Sequence, residues 1–222
     1  MKKLLTCFVS VFLLTITVQP AYSQTAPFYN EIQQFKKQDS ASFPPKNAIL
    51  LVGSSSFTKW QDVQSYFPGY TIINRGFGGS VLPDVIHYAK DIIIPYQPKQ
   101  VIVYCGDNDL ASSDTITPEI VTNRFKQLFQ IIRSKVPAAT ITYVSIKPSP
   151  SRLKLILKMS ETNTMIESFL KGRKNTSFID VFHPMLEAGN KPIPSIFLAD
   201  SLHMNASGYA IWKKAMKPQL KK

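Results

Sequence analysis

The 222-residue sequence has little cysteine and little histidine, two and three residues respectively. Cys7 falls in an apolar leader, so Cys105 stands alone in the rest of the chain, which excludes a disulfide framework there. Three histidines, with carboxylates at no customary zinc spacing, supply too few ligands for a metal centre; neither a metal nor an organic cofactor is expected. Acidic residues are scarce too, 14 against 26 Lys and Arg, for a formal charge of +12. Such a surplus attracts acidic glycans, lipid head groups or nucleic acid. The basic residues are nevertheless scattered, clustering only at Lys213, Lys214, Lys217 and the terminal Lys221-Lys222. Without a basic stripe interleaved with aromatics, a nucleic-acid partner is not expected. Beyond residue 23 no run approaches the ~20 apolar residues of a membrane helix.

The N-terminus carries targeting features instead. Lys2 and Lys3 precede an almost uncharged apolar stretch from Leu4 to Val18, and Ala21-Tyr22-Ser23 offers small residues where a signal peptidase reads them. This predicts a signal peptide over residues 1–23, export to the periplasm or beyond the cell, and one domain over residues 24–222 with room for a single core. Losing two lysines takes the formal charge from +12 to +10.

Periodicity then alternates. Phe28, Ile32 and Phe35 predict a leading helix from about Tyr29 to Gln38, which Pro44-Pro45 breaks. Short continuous apolar runs follow at 48–52, 71–73, 101–104, 140–145 and 178–181, as expected of strands buried on both faces. Thr117 reads as an N-cap, with Pro118 at the first helical position and a helix that stops at Pro137. Further helices are expected between Leu153 and Leu170 and between Asn205 and Met216. Strands alternating with helices imply an α/β fold, a parallel sheet covered on both sides, with ligands beyond the carboxyl ends of the strands.

The chemistry-bearing residues fall at those ends: Gly53-Ser54-Ser55-Ser56, Gly76-Phe77-Gly78-Gly79, Gly106-Asp107-Asn108-Asp109 and Asp200-Ser201-Leu202-His203. A hydroxyl attacks a carbonyl poorly unless a base takes its proton, and imidazole suits that task near neutral pH. The imidazole needs a third group to fix its tautomer, and the developing oxyanion needs donors in place beforehand. Ser55, His203 and Asp200 answer the first needs; the N–H groups of Ser55 and Gly79 and the side chain of Asn108 answer the last.

In these four blocks the sequence resembles the SGNH (GDSL-type) hydrolases along essentially the whole length after the leader. Gly53-Ser54-Ser55 stands for the nucleophile block, Gly79 for the glycine block, Gly106-Asp107-Asn108-Asp109 for the asparagine block and Asp200-x-x-His203 for the base. One departure is Ser54, where the family has Asp. The resemblance implies a three-layer α/β/α sandwich on a five-stranded parallel sheet of flavodoxin-like order. It also implies a serine esterase acting on acetylated carbohydrate, short-chain ester or lysophospholipid. Lys147-Pro148-Ser149-Pro150-Ser151-Arg152, after the fourth strand, resembles a segment of one branch of small esterases and would lie beside the pocket.

Other readings compete. The three serines suit a polar strand-to-helix turn, and the glycines and Asn108 suit turns. Asp180-x-x-His183 rivals Asp200-x-x-His203 as the base pair, though His183 is expected in a loop before Pro184. His87 falls in a helical stretch. Ser56-x-x-Lys59 lacks the Lys-Thr-Gly element of penicillin-recognising enzymes, and Phe57 breaks the Gly-x-Ser-x-Gly elbow of α/β-hydrolases. An inactive carbohydrate- or lipid-binding member and an acyltransferase are the alternatives to a hydrolase.

Overall fold

The three central runs, 49–53, 100–104 and 140–144, alternate their side chains between two helical layers and are buried throughout. The edge strands at 72–76 and 176–179, expected to be buried on both faces, stay partly exposed because no strand covers their outer side. A computed structural model describes residues 26–222; the expected leader lies outside the described residues. The chain opens with α1 (Tyr29–Ala41), β1 (Ile49–Gly53), the short helices α2 (Ser55–Thr58) and α3 (Val63–Tyr66), β2 (Ile72–Gly76) and α4 (Leu82–Ile92). It continues through β3 (Gln100–Tyr104), α5 (Asp107–Ser112), α6 (Pro118–Lys135), β4 (Thr140–Val144), α7 (Ile156–Leu170) and β5 (Thr176–Ile179). A small hairpin, β6 (Leu186–Glu187) with β7 (Lys191–Pro192), precedes α8 (Ala206–Met216).

β1 to β5 pair in parallel in the order β2-β1-β3-β4-β5, the flavodoxin-like order. On one face Leu50, Val52, Val101 and Val103 meet α1, α4, α6 and α7; on the other Ile49, Leu51, Ile102 and Tyr104 meet α2, α3 and α8. Aromatic rings dominate the second layer, with Trp60 stacked on Tyr209 at 4.7 Å and edge-on to Trp212 at 6.2 Å. Burying a ring of that size contributes ~2–3 kcal/mol. The Tyr209 hydroxyl also donates to the Ser56 carbonyl at 3.0 Å, tying α8 to the chain just after Ser55.

Side chains move some element ends from where apolar patterning puts them. β2 runs on through Asn74, Arg75 and Gly76, because Asn74 Nδ2 donates to the Phe57 carbonyl at 2.7 Å and Arg75 turns into a buried clasp. There the Arg75 guanidinium meets Asp39 of α1 at 2.5 Å and Tyr96 at 2.7 Å, with Asp39 also bonded to the Tyr96 hydroxyl. β5 stops at Ile179, not Val181, because the Ser145 hydroxyl accepts the N–H groups of Val181 and Phe182 at 2.9 and 3.0 Å. The helix expected from Leu153 begins as a 3-10 turn over Pro150–Leu155 and becomes α-helical at Ile156. Thr117 caps α6 and Asn205 caps α8, through their side-chain oxygens.

In this strand order the chain leaves β1 towards β2 and later crosses back to β3. The segments after β1 and β3 therefore part company, and the crevice between them is where such sheets hold ligands. Ser55 follows β1 and Asn108 follows β3.

Candidate active site

Gly53 closes β1 at φ +130°, and a Cβ there would lie 1.9 Å from the Tyr104 carbonyl oxygen. Only glycine lets the backbone pass so near β3 and then turn. The Ser54 N–H donates to that same carbonyl at 3.0 Å, and Ser55 becomes the first residue of α2. An N–H in the first helical turn has no partner within its helix. Among the described residues neither the Ser55 nor the Gly79 N–H meets an acceptor. The glycine segment after β2 flanks Ser55 closely: a Cβ on Gly78 would lie 3.9 Å from Ser55 Cβ.

His203 reaches the same point from the far end of the sequence. Leu198 donates to the His203 carbonyl at 2.7 Å, folding the segment back on itself, with Ser201 at φ +55°. Inside this turn Asp200 Oδ1 accepts the N–H groups of Leu202 (3.0 Å) and His203 (2.9 Å). Its Oδ2 lies 2.6 Å from His203 Nδ1, and His203 Nε2 lies 3.1 Å from Ser55 Oγ. The hydrogen bond from the imidazole, aided by the two backbone N–H groups, holds the Asp200 carboxyl well below the usual carboxylate range. The geometry thus brings together the serine, imidazole and carboxylate singled out in the sequence.

The rival pair has the same local shape and a different setting. Asp180 Oδ1 accepts the N–H groups of Phe182 and His183 at 2.9 and 3.2 Å, and its Oδ2 lies 2.7 Å from His183 Nδ1. The His183 side chain is 76% exposed, against 18% for His203, and among the described residues no hydroxyl bonds its other ring nitrogen. His87 is exposed on α4, edge-on to Tyr88. Ser56 is buried while Lys59 is exposed.

Asn108 lies in the first turn of α5 across the crevice from Ser55. Its Nδ2 donates to Ser54 Oγ at 2.7 Å and to the Ser80 carbonyl at 3.1 Å, and its Oδ1 accepts from Arg152 at 3.0 Å. Both amide protons therefore have partners.

Residues 46–211, a span that holds all four blocks, match the GDSL-like lipase/acylhydrolase family model. The chain belongs to this family. Solved structures with the same fold include a candidate platelet activating factor from Streptococcus pneumonia, 20% identical, TM-score 0.76, covering 86% of this chain and 92% of that one. A GDSL-like lipase from Bacteroides thetaiotaomicron is 18% identical with a TM-score of 0.73, over 85% and 96% of the two chains. An acetylxylan esterase from Geobacillus stearothermophilus is 14% identical with a TM-score of 0.62, over 79% and 94%. No curated protein matches the sequence significantly.

The acylhydrolase surrounds Asn108 with charges that the sequence does not announce as a group. Behind it, Asp107 pairs with Lys147 at 3.4 Å and with Arg152 at 3.3 Å. Lys147 is fully buried, and burial pushes its amine below the usual lysine range against the pull of Asp107. Asp109 is also buried, accepting from the Leu82 N–H at 3.0 Å and from Arg124 at 2.8 Å; burial pushes its carboxyl up, opposed by those two partners. The segment holding Lys147 and Arg152 was expected beside the pocket, but its pairing with Asp107 was not, and Arg124 is noticeable only as part of an amphipathic helix. The available signal was the acidic pair Asp107 and Asp109 at the end of an apolar strand, which must find cations or hydrogen-bond donors once buried. Ser151 donates to the Ser201 carbonyl at 3.1 Å, so the loop also buttresses the turn that carries His203. Among the described residues no group of His, Cys, Asp and Glu is arranged to hold a metal ion, and no helix is long and apolar enough to cross a membrane.

Proposed function

We propose that this acylhydrolase cleaves carboxylic esters through an acyl-Ser55 intermediate, with His203 as general base and acid and Asp200 as its orienting carboxylate. The observation that carries the reading is the unbroken line of contacts from Ser55 Oγ to His203 Nε2 at 3.1 Å and from His203 Nδ1 to Asp200 Oδ2 at 2.6 Å. In acylation Ser55 Oγ forms a bond to the ester carbonyl carbon while its proton passes to His203 Nε2. The oxyanion is taken up by the N–H groups of Ser55 and Gly79 and by Asn108 Nδ2. Collapse breaks the ester C–O bond, and the imidazolium returns its proton to the departing alkoxide. Water then attacks the acyl-serine with His203 again as base, releasing the acid and restoring the hydroxyl. A carboxylate held ionised beside Nδ1 stabilises the transient imidazolium and fixes the tautomer that leaves Nε2 free to accept.

Esters of acetylated carbohydrate, short-chain alcohols and lysophospholipids all fit this chemistry. A leader over residues 1–23 would carry it outside the cytoplasm. The test is a p-nitrophenyl ester series on wild type, Ser55→Ala, His203→Ala and His183→Ala. The expected result is near-complete loss for the first two and near-normal turnover for the third, with a fluorophosphonate labelling Ser55 in the wild type. A dead His183→Ala alongside an active His203→Ala would overturn the assignment of the base.

A further inference from the structure

We infer that the groove between α1 and the edge of the sheet at β2 is the alcohol-side subsite, and that it takes a neutral oligosaccharide. This rests on the ester-hydrolase reading above and names its substrate class.

The groove has a volume of about 660 Å3, within the ~300–1,000 Å3 typical of ligand sites, and it spans α1, the end of α2 and the last residues of β2. Its upper end lies beside the segment that flanks the serine. Gly78 lines it, and a Cβ on Gly78 would stand 3.9 Å from Ser55 Cβ. Thr58, one helical turn after Ser55 on α2, lines it as well. Ser55 itself does not line the groove, so a sugar lying here would present its ester to the hydroxyl from across Gly78.

The lining decides what the ligand is. Gln34 and Gln38 are one turn apart on the same stripe of α1, and Gln61 faces them from beyond α2. All three are exposed, and among the described residues none of their carboxamides is engaged in a hydrogen bond. A carboxamide both donates and accepts, which suits the paired donor–acceptor character of sugar hydroxyls. Half-buried Phe35 supplies apolar surface beside them, of the kind the C–H face of a pyranose covers.

Charge excludes the competitors. The protein as a whole is strongly basic, yet no Lys or Arg lines the groove and Glu31 does. A phosphodiester head group or a uronate would meet a carboxylate and no cation. A long acyl chain would leave the polar lining desolvated and unpaired, at a cost. A neutral chain of sugar rings satisfies both conditions.

The fold also fixes the groove firmly enough to select. Its floor includes Asn74, whose side chain is held by the Phe57 carbonyl at 2.7 Å and the Gly76 N–H at 3.0 Å. Its α1 wall is clamped by Asp39 and Arg75, the latter also lying over the Phe35 ring at 5.0 Å. Such a wall adapts little, so recognition comes from the exposed glutamines.

The experiment compares kcat/KM for partially O-acetylated cellotriose and xylotriose with kcat/KM for p-nitrophenyl acetate, in wild type, in Gln34→Ala/Gln38→Ala and in Gln34→Trp. Both α1 positions are exposed, and circular dichroism verifies that the variants fold. The expected result is a fall in the oligosaccharide-to-acetate ratio of about tenfold or more in both variants, carried by KM, since two hydrogen bonds to ligand are lost or the groove is filled. In parallel, unmodified cellotriose and xylotriose are titrated into Ser55→Ala by calorimetry, with the double variant in that background binding more weakly. An unchanged ratio, or lysophosphatidylcholine turnover that falls with the same variants, overturns the inference. Absence of Ser55-dependent turnover of p-nitrophenyl acetate overturns the hydrolase reading instead, and the calorimetric titration still reads the groove by itself.

Discussion

Removing the Ser54 hydroxyl is expected to speed the enzyme and destabilise the fold. Asn108 has two amide protons, one held by Ser54 Oγ at 2.7 Å and the other by the Ser80 carbonyl at 3.1 Å. An oxyanion at Ser55 can be served by Nδ2 only if one of these bonds is given up during the reaction. A neutral hydrogen bond of this kind contributes ~1 kcal/mol net, whereas an oxyanion-hole donor is worth ~2.7–4 kcal/mol to the transition state. The exchange is favourable but discounted by the bond surrendered. In Ser54→Ala the surrender disappears, while Arg152 on Oδ1 and the Ser80 carbonyl on Nδ2 continue to orient the amide.

Turnover of p-nitrophenyl acetate should therefore rise by roughly 2–10-fold in kcat with little change in KM, since ~1 kcal/mol is about fivefold. Asn108→Ala should lose ~2–3 kcal/mol of transition-state stabilisation, a fall of roughly 30–200-fold, somewhat less than an unencumbered donor would cost. The folded state pays for the faster variant: Ser54 is 3% exposed, and an amide proton left without an acceptor there costs ~1–3 kcal/mol in urea unfolding. The decisive comparison is Ser54→Ala in the Asn108→Ala background, where its effect on kcat should vanish because there is no amide left to release. A drop in kcat in the single variant, or an effect that persists in the double, refutes the reasoning and makes Ser54 an orienting residue.

Asp200→Asn should lower kcat by ~10³–10⁴, because an amide at that place favours the wrong imidazole tautomer, while Asp180→Asn stays near wild type in the same assay. Gly53→Ala should cost on the order of 4 kcal/mol or fail to accumulate as soluble protein, as read by thermal unfolding, since its Cβ would overlap the Tyr104 carbonyl. Stability should also decline at alkaline pH. Burial, reinforced by the hydrogen bond to Asp39, raises the Tyr96 phenol from near 10 to about 12, and burial pushes those of Tyr104 and Tyr143 well up. The unfolded chain loses those protons first, so the contribution is complete below pH 10 and is lost as pH rises through about 12. Urea midpoints measured across that window should fall, and a flat profile would contradict the burial.

Apolar patterning was sufficient for the sheet because a strand buried on both sides has no choice of face. Every residue of β1, β3 and β4 is buried, and those strands read as continuous apolar runs. It was insufficient wherever a single polar side chain sets an end. Ser145 terminates β5 by capturing two N–H groups contributed by a segment more than thirty positions away, a relation no local window contains. Arg75 lengthens β2 by folding into a clasp with Asp39 and Tyr96, residues that look like ordinary surface positions in isolation. The charges behind Asn108 were hidden for the same reason. Asp107, Lys147 and Arg152 make sense only together, and the chain keeps Asp107 forty or more residues from the other two.

The two Asp-x-x-His segments show where functional information resides. In both, the carboxylate accepts two backbone N–H groups and the near ring nitrogen, with matching distances, so four residues of chain suffice to build the pair. Such a pair is an inexpensive turn in its own right, and its presence says nothing about catalysis. The difference lies entirely in what faces the far nitrogen: Ser55 in one case, solvent in the other. That distinction depends on Gly53 allowing β1 to end hard against β3, and on Tyr209 and Trp212 seating α8 over α2 so that the turn before α8 hangs above Ser55. Among the described residues His183 has no hydroxyl on its far nitrogen and its side chain is 76% exposed, so the pair alone has nothing to activate. The proposed triad depends on the sheet's switch point, and the Asp-x-x-His motif is only the part of it that can be written on one stretch of chain.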